Sequence, residues 1–109
     1  MAVFIVRLQH PDEEGWKRWV KPHVEWIEQQ VASGVVVASG PSVGTSVRQG
    51  WLVMAANSQS ELRSVLETDP FWRHGIVEGL LIVEWDPVFG RLDGFSSSPG
   101  GLTAEDLTS

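Results

Sequence analysis

One histidine and one aspartate in this sequence form a candidate pair for acid–base chemistry. His23 lies in the stretch VKPHVEWIEQQV, at a position of the apolar stripe expected for an amphipathic helix. Asp69 lies in LETDPF, where a second helix is expected to stop before a proline. Histidine exchanges protons near neutral pH, and a carboxylate can fix its tautomer. If both helices pack on the same face of a sheet, the two side chains could meet and catalyse proton transfer.

Each of these residues also has a structural interpretation. His23 could be a core histidine that donates to a backbone carbonyl, and Asp69 could only shape an Asp-Pro turn. Asp86, in EWDPVF, has the same Asp-Pro sequence, and we interpret it as a turn residue. His10 and His74 lie among polar neighbours, and we expect both at the surface.

Aromatic and turn residues could line a pocket around the pair. The six tryptophans in 109 residues could fill the core, form an interface or line a pocket. The tryptophans expected as candidate walls are Trp16, Trp19, Trp26 and Trp72. Gly40 and Pro41 would let the chain pass close to the pocket or to another subunit. Arg7 would either supply a cation for an anionic ligand or lie at the surface near the end of a strand.

Composition excludes several classes of function. The formal net charge is −6 and the few basic residues are scattered, which argues against nucleic-acid binding. The absence of cysteine excludes disulfides, thiolate metal sites and a cysteine nucleophile. The three histidines show neither HxH nor HExxH spacing, so we expect no metal. The segment ASGPSVG lacks the lysine of a phosphate-binding loop, and we expect no cofactor.

The chain shows no pattern typical of export or membrane insertion. The start, MAVFIVRL, lacks a basic region followed by a long apolar one. Apolar runs such as SGVVVASG are far shorter than the ~20 residues that span a bilayer. We therefore expect a cytoplasmic protein that does not bind membranes.

The elements that must position the pair follow from hydrophobic periodicity. The expected strands cover 2–8, 35–41, 51–56 and 79–89. The first helix is expected over 13–33, followed by a second that begins near 58 and ends at Asp69. Pro22 either kinks the first helix or stands at the first position of a main helix that begins there.

The order β-α-β-β-α-β predicts an α+β, ferredoxin-like fold in which a four-stranded antiparallel sheet carries two helices on one face. The other sheet face is apolar enough to require a cover, and a second copy of the chain is the simplest one. This domain is expected over 1–90. The Gly/Ser-rich tail, 91–109, is either a flexible end or an arm laid on a neighbour through Phe95 or Leu102.

The segments FIVRL, KPHVEWIEQQVASGVVVASGP and LETDPFWRHGIVEGLLIVEWDPVF together resemble the YCII-related domain family. The resemblance extends from Ala2 to about Gly90. It implies a ferredoxin-like fold that forms a homodimer through the sheets, the dimeric α+β barrel. It also implies a His-Asp active-site pair, which falls on His23 and Asp69. The family's Gly-Pro pair, which follows its second strand, falls on the Gly-Pro of VVVASGP.

The sequence departs from the family pattern in two places. A basic residue often lies just ahead of the family's histidine, and here Lys21 and Pro22 precede it. The tail after Gly90 has no counterpart in that pattern.

The resemblance favours a small enzyme, since one branch of the family contains a dehydrochlorinase of a chlorinated hydroxyquinol. Muconolactone isomerases share the wider superfamily. The expected function is lyase- or isomerase-like acid–base chemistry on a small aromatic or enolisable metabolite. One alternative is a ligand-binding or accessory module without catalysis. Another is a haem-binding or monooxygenase relative, which would require His23 or His74 to face a large cavity.

Overall fold

The computed structural model describes residues 1–98 and 101–108. Four strands, β1 to β4, and four helices, α1 to α4, follow one another in the order β1-α1-β2-β3-α2-α3-β4-α4. The strands are β1 (Ala2–Gln9), β2 (Val36–Pro41), β3 (Gln49–Ala56) and β4 (Glu78–Trp85). The helices are α1 (Glu13–Ala32), α2 (Gln59–Leu66), α3 (Pro70–Arg73) and α4 (Ala104–Thr108), and a 3₁₀ turn covers Asp93–Phe95.

The sheet has the order β2-β3-β1-β4, and all of its pairings are antiparallel. The two central strands, β1 and β3, are neighbours in space but are separated in sequence by a helix and a strand. This arrangement confirms the predicted ferredoxin-like α+β fold.

The core lies between one sheet face and the helices. Phe4, Val6 and Leu8 alternate along β1 and point toward this side, as the two-residue period of a strand requires. Leu62 and Leu66 of α2 pack on them and are fully buried. The last strand is shorter than predicted and ends at Trp85, because the chain turns away at Asp86 before a proline.

Helix α1 is one continuous helix that includes Pro22. The interpretation in which a main helix begins at Pro22 is therefore wrong. The helix begins instead at Glu13, and Asp12 is its N-cap, whose side chain accepts a hydrogen bond from the backbone N–H of Gly15. It ends next to Gly34, whose positive φ of 83° is the conformation that glycine adopts freely.

The second helical segment is divided in two. Ser58 caps α2 by accepting from the N–H of Glu61, as the spacing predicted. Asp69 and Pro70 then interrupt the helix, and α3 restarts at once with Asp69 as its N-cap. The predicted stop at Asp69 is thus also a helix start, which fixes the direction of its carboxylate.

The sheet face opposite the helices is apolar and partly exposed. Cross-strand neighbours share a face, so Ile5 lies beside Val53 and Val83 on this side. Four large apolar residues on the same face are between 38% and 46% exposed. They are Trp51, Leu81, Val83 and Trp85.

Residues 91–98 of the tail fold back onto their own chain. The N–H and hydroxyl of Ser97 both donate to Asp86, which gives this Asp-Pro residue a structural role. Leu92 lies against the apolar sheet face, and Phe95 lies beside Val3 and Trp85. The tail therefore covers one margin of the face and leaves its centre open.

Candidate active site

His23 and Asp69 meet between α1 and the start of α3. The Nδ1 atom of His23 lies 2.8 Å from Oδ1 of Asp69. The same Oδ1 accepts a hydrogen bond of 3.0 Å from the backbone N–H of Phe71. Because Oδ1 acts as an acceptor in both contacts, Nδ1 carries the hydrogen, and Nε2 is left with a lone pair.

The local sequence explains why Asp69 points at the histidine. Pro70 supplies the fixed φ of a first helical position, and Asp69 caps that helix through its side chain. The carboxylate is 1% exposed, and its Oδ2 has no hydrogen-bond partner within residues 1–98 and 101–108. A buried carboxylate with few donors depends strongly on the partner that it has, here His23.

Aromatic side chains hold the imidazole in place. The ring of His23 stacks on that of Phe71, with centroids 4.0 Å apart and planes at 14°. The ring centroid of Trp26 lies 6.1 Å from that of His23, and the Nε1–H of Trp26 donates to the hydroxyl of Thr68. The imidazole can therefore rotate little, which is the pre-organisation that a proton-transfer group needs.

His23 lines a cavity of ≈ 240 Å³ between α1 and the ends of β2 and β3. Most of its lining surface belongs to apolar groups, which include Trp16, Val20, Ile27 and Phe71. The polar groups that reach it include His10, His23 and Arg48. Arg48 also lies over the ring of Trp16 at 3.7 Å and pairs with Glu13 at the cavity edge. Such a cavity suits a small, mostly apolar ligand with few polar groups.

His10 is buried, and its expected place at the surface is wrong. Only 3% of the residue is exposed, because the chain leaves β1 and turns under α3 at this point. Its ring contacts that of Phe71 at 4.7 Å, on which His23 also stacks. A weak signal was present, since His10 comes directly after a strand and could continue its pairing. The backbone N–H of His10 donates to the carbonyl of Arg48.

The predicted pocket residues divide into two groups. Trp16, Gly40 and Pro41 lie at the cavity together with His23. Four other predicted residues lie outside its lining, and they are Arg7, Trp19, Trp26 and Trp72.

The physical reasons differ for these four residues. Arg7 is on the opposite sheet face, where its guanidinium donates to the carbonyl of Gly79. Trp19 stacks on His74 at 3.4 Å, on a different face of α1 from the residues that line the cavity. Trp26 is buried in the core, and its ring lies next to that of His23. Trp72 lies against the chain that leads into β4, on the far side of α3.

Three structural findings concern the haem alternative, metal binding and membrane insertion. The haem alternative required a large cavity, whereas His74 is stacked on Trp19 and the cavity at His23 is small. Within residues 1–98 and 101–108, no three His, Asp or Glu side chains are grouped as a metal site would need. No helix in this described part of the chain is long and apolar enough to cross a bilayer.

Comparison with known proteins identifies the family. The model of the YCII-related domain matches residues 1–86. The chain belongs to the YCII-related domain family. The match includes every cavity residue named above and both members of the His-Asp pair, and it ends before the tail. No curated protein matches the chain in sequence.

Solved structures show the same fold in this YCII-related chain. One is the 5-chloro-2-hydroxyhydroquinone dehydrochlorinase TftG from Burkholderia phenoliruptrix AC1100, in complex with 2,5-dihydroxybenzoquinone. The TM-score is 0.66 at 20% sequence identity, over 77% of this chain and 93% of that one. At this identity the likeness concerns the arrangement of strands and helices.

Proposed function

We propose that this protein is a cofactor-independent enzyme in which His23 transfers a proton of a small ligand and Asp69 orients the imidazole. The observation that carries the proposal is the 2.8 Å contact between His23 and Asp69 at the wall of a cavity. It leaves Nε2 of His23 as the ring nitrogen that can receive a proton. Such acid–base assistance contributes roughly 10²–10⁴ to a rate.

The cavity supports a small aromatic or enolisable substrate. Its volume of ≈ 240 Å³ suits a single substituted ring, and Trp16 and Phe71 offer faces for stacking. The TftG likeness suggests a lyase-like reaction on a chlorinated hydroxyhydroquinone. There, His23 would take a proton from the ring system while chloride leaves with its bonding electrons. The net change is loss of HCl and formation of a quinone, which needs no oxidant.

The first experiment measures chloride release from 5-chloro-2-hydroxyhydroquinone under anaerobic conditions. We expect His23→Gln to lower kcat by roughly 10²-fold or more, because the amide cannot accept and return a proton. His74→Gln is the matched control, since that histidine lies outside the cavity, and we expect its rate to stay within about twofold of wild type. An unchanged rate in His23→Gln would overturn the proposal. Binding without turnover of this or other enolisable rings would favour the ligand-binding module.

We further propose that two copies pair through the apolar sheet face. The proposal is supported by the exposed apolar side chains that β3 and β4 present on this face, since a soluble domain rarely leaves such an area uncovered. A two-fold axis would place identical apolar strands against each other and close the assembly. The cavity lies on the helix side of each copy, so pairing would leave both cavities accessible.

A further inference from the structure

His10 is a buried histidine at the cavity that the proposed proton transfer does not use. It follows β1 directly, and Nδ1 lies 3.2 Å from the carbonyl oxygen of Ile76. A carbonyl only accepts, so Nδ1 carries the hydrogen. The other nitrogen, Nε2, therefore presents a lone pair. None of the described residues donates a hydrogen bond to it.

The surroundings keep this imidazole uncharged. Burial is the main reason that the pKa of His10 lies below its ordinary value, and the nearby His23 and Arg48 lower it further. The carbonyl of Ile76 and the carboxylate of Asp69 act in the opposite direction but do not outweigh burial. At neutral pH the residue is thus a hydrogen-bond acceptor of fixed orientation.

The Nε2 atom faces Gly50, at the point where β3 lines the cavity. A Cβ atom built on Gly50 would lie 3.5 Å from Nε2, and no other atom outside its chain neighbours would lie within 4 Å of it. The absence of a side chain at Gly50 therefore keeps the lone pair uncovered. His10 and His23 both contact Phe71 and both line the cavity, so a single small ligand could reach the two imidazoles.

We propose that Nε2 of His10 accepts a hydrogen bond from a ring hydroxyl of the ligand, which makes His10 a specificity-determining residue for rings with at least two hydroxyls. One hydroxyl donates to His10, and a second donates to Nε2 of His23. This inference rests on the proposed function only in placing the ligand beside His23. The ligand class is a di- or trihydroxylated ring, because its O–H groups can donate to both ring nitrogens at the cavity and bring no positive charge near Arg48.

Two substitutions of His10 separate recognition from structural support. The amide of His10→Asn can reach the Ile76 carbonyl but ends short of the position of Nε2. The longer His10→Gln can place its amide oxygen near that position. A recognition role predicts that the Asn variant loses the hydroxyl contact and the Gln variant partly keeps it. A purely structural role predicts the reverse order.

The test measures anaerobic binding of 2-hydroxyhydroquinone and of phenol by NMR titration. The triol presents hydroxyl pairs at every spacing around a ring, whereas phenol has a single hydroxyl. We expect the wild type to bind the triol about tenfold or more tighter than phenol, as one further hydrogen bond allows. In His10→Asn this ratio should fall to about one while phenol affinity is unchanged.

Gly50→Ala provides an independent variant in which His10 remains. Its methyl group would cover Nε2 at a normal contact distance without backbone strain, since Gly50 does not have a positive φ. We expect the same loss of preference for the triol. His74→Gln should retain the wild-type ratio.

Three outcomes would overturn the inference: no preference for the triol in the wild type, a full preference in folded His10→Asn, or an equal loss for both probes.

Turnover adds a separate readout, since His10→Asn should raise KM more than it lowers kcat. The triol carries no chlorine, so its binding does not depend on the proposed reaction. If the protein binds the triol through His10 but turns over no substrate, this inference stands and the proposal of an enzyme is wrong.

Discussion

At the scale of single residues, the hydrogen bond between His23 and Asp69 joins positions 46 apart in the chain. The carboxylate accepts a second hydrogen bond from the backbone N–H of Phe71, and the ring of Phe71 stacks on the imidazole. One residue thus caps a helix and orients a histidine at the same time. A change at Asp69 is therefore expected to affect both stability and catalysis.

Asp69→Asn should separate these two effects. The amide oxygen can accept from Phe71 as before, so we expect the variant to fold. Its negative charge is lost, and with it the stabilisation of the imidazolium that forms when Nε2 takes a proton, so kcat should fall by about 10²-fold or more. Nitrogen NMR of the His23 ring should show that Nδ1 still carries the hydrogen, which assigns the loss of rate to the missing charge.

Asp86→Asn is the matched control for that substitution. It also precedes a proline, but its side chain binds Ser97 in the tail and is remote from the cavity. We expect its rate to match that of wild type. If the two variants lose activity equally, the loss reflects folding, and the role of Asp69 is not specific.

His10 should also make stability depend on pH. Above its ordinary pKa near 6.5, the side chain is neutral in both folded and unfolded states and contributes nothing to the dependence. Below that pH the unfolded chain gains a proton first, because the folded pKa is lower. The free energy of unfolding contributed by this group therefore decreases as pH falls from about 6.5 toward the folded pKa.

Urea unfolding at pH 7.5 and 5.5 tests this effect. We expect the wild type to lose more stability between the two conditions than His10→Asn, which does not titrate but can keep the bond to Ile76. The groups that face His10, namely His23, Asp69 and Arg48, are common to both proteins, so the difference reports on His10. Equal losses would contradict the lowered pKa.

At the scale of elements, three segments bring the site together. Helix α1 supplies His23, the start of α3 supplies Asp69, and the end of β1 supplies His10. Helix α2 leads directly to Asp69, so the position of α2 on the sheet determines where Asp69 lies. The N-cap of α2 helps to fix that position. The helix should depend on its cap because it has only eight residues.

Ser58→Ala removes the acceptor for the N–H of Glu61. We expect a decrease of about 1 kcal/mol in the free energy of unfolding, as for other N-caps. Chemical denaturation with a constant m-value would measure it. Ser60→Ala is a suitable control, because Ser60 is in the same helix and does not cap it. A loss of the same size in both variants would argue against the cap.

At the scale of the whole molecule, one sheet face carries the helices and the cavity, and the other is apolar and partly open. The tail covers a margin of the open face through Leu92 and Phe95. The proposed homodimer would bury the remainder. The division of the sheet into a ligand side and an assembly side follows from the alternation of side chains along each strand.

Val83→Glu should therefore weaken self-association. Val83 is 46% exposed on the edge strand β4 of the open face, and a two-fold axis through this face would bring two unpaired carboxylates into one apolar contact. We expect the dimer dissociation constant to rise by roughly 100-fold or more. Light scattering coupled to gel filtration over a range of concentrations would show it.

Val31→Glu is the control for that experiment. Val31 is exposed to a similar degree, at 52%, but lies on α1 away from the open face. We expect no change in its association. A wild type that is monomeric at all concentrations, or a dimer that tolerates Val83→Glu, would rule out pairing through this face.

The sequence by itself determined the fold class, and it named His23 and Asp69 as candidates for a pair. Alternating apolar residues such as Phe4, Val6 and Leu8 define a strand, and a helical stripe defines α1, because these periods are properties of the local backbone. Ser58 predicted a helix start and Asp69 a helix stop, because capping and the effect of a following proline are also local properties of the backbone. His23 was noticeable because a titratable group stood within an apolar stripe.

Only the tertiary structure decided which side chains share the cavity. Arg7, Trp19 and Trp72 carry suitable chemistry, but their strand face or helix face directs them elsewhere, and a shift of one residue along a strand reverses that direction. His10 showed the opposite error, since its polar neighbours in sequence are not its neighbours in space. The burial of His10 depends on α3, which lies about sixty residues later in the chain and packs against it. A local sequence pattern cannot predict a contact between residues so far apart.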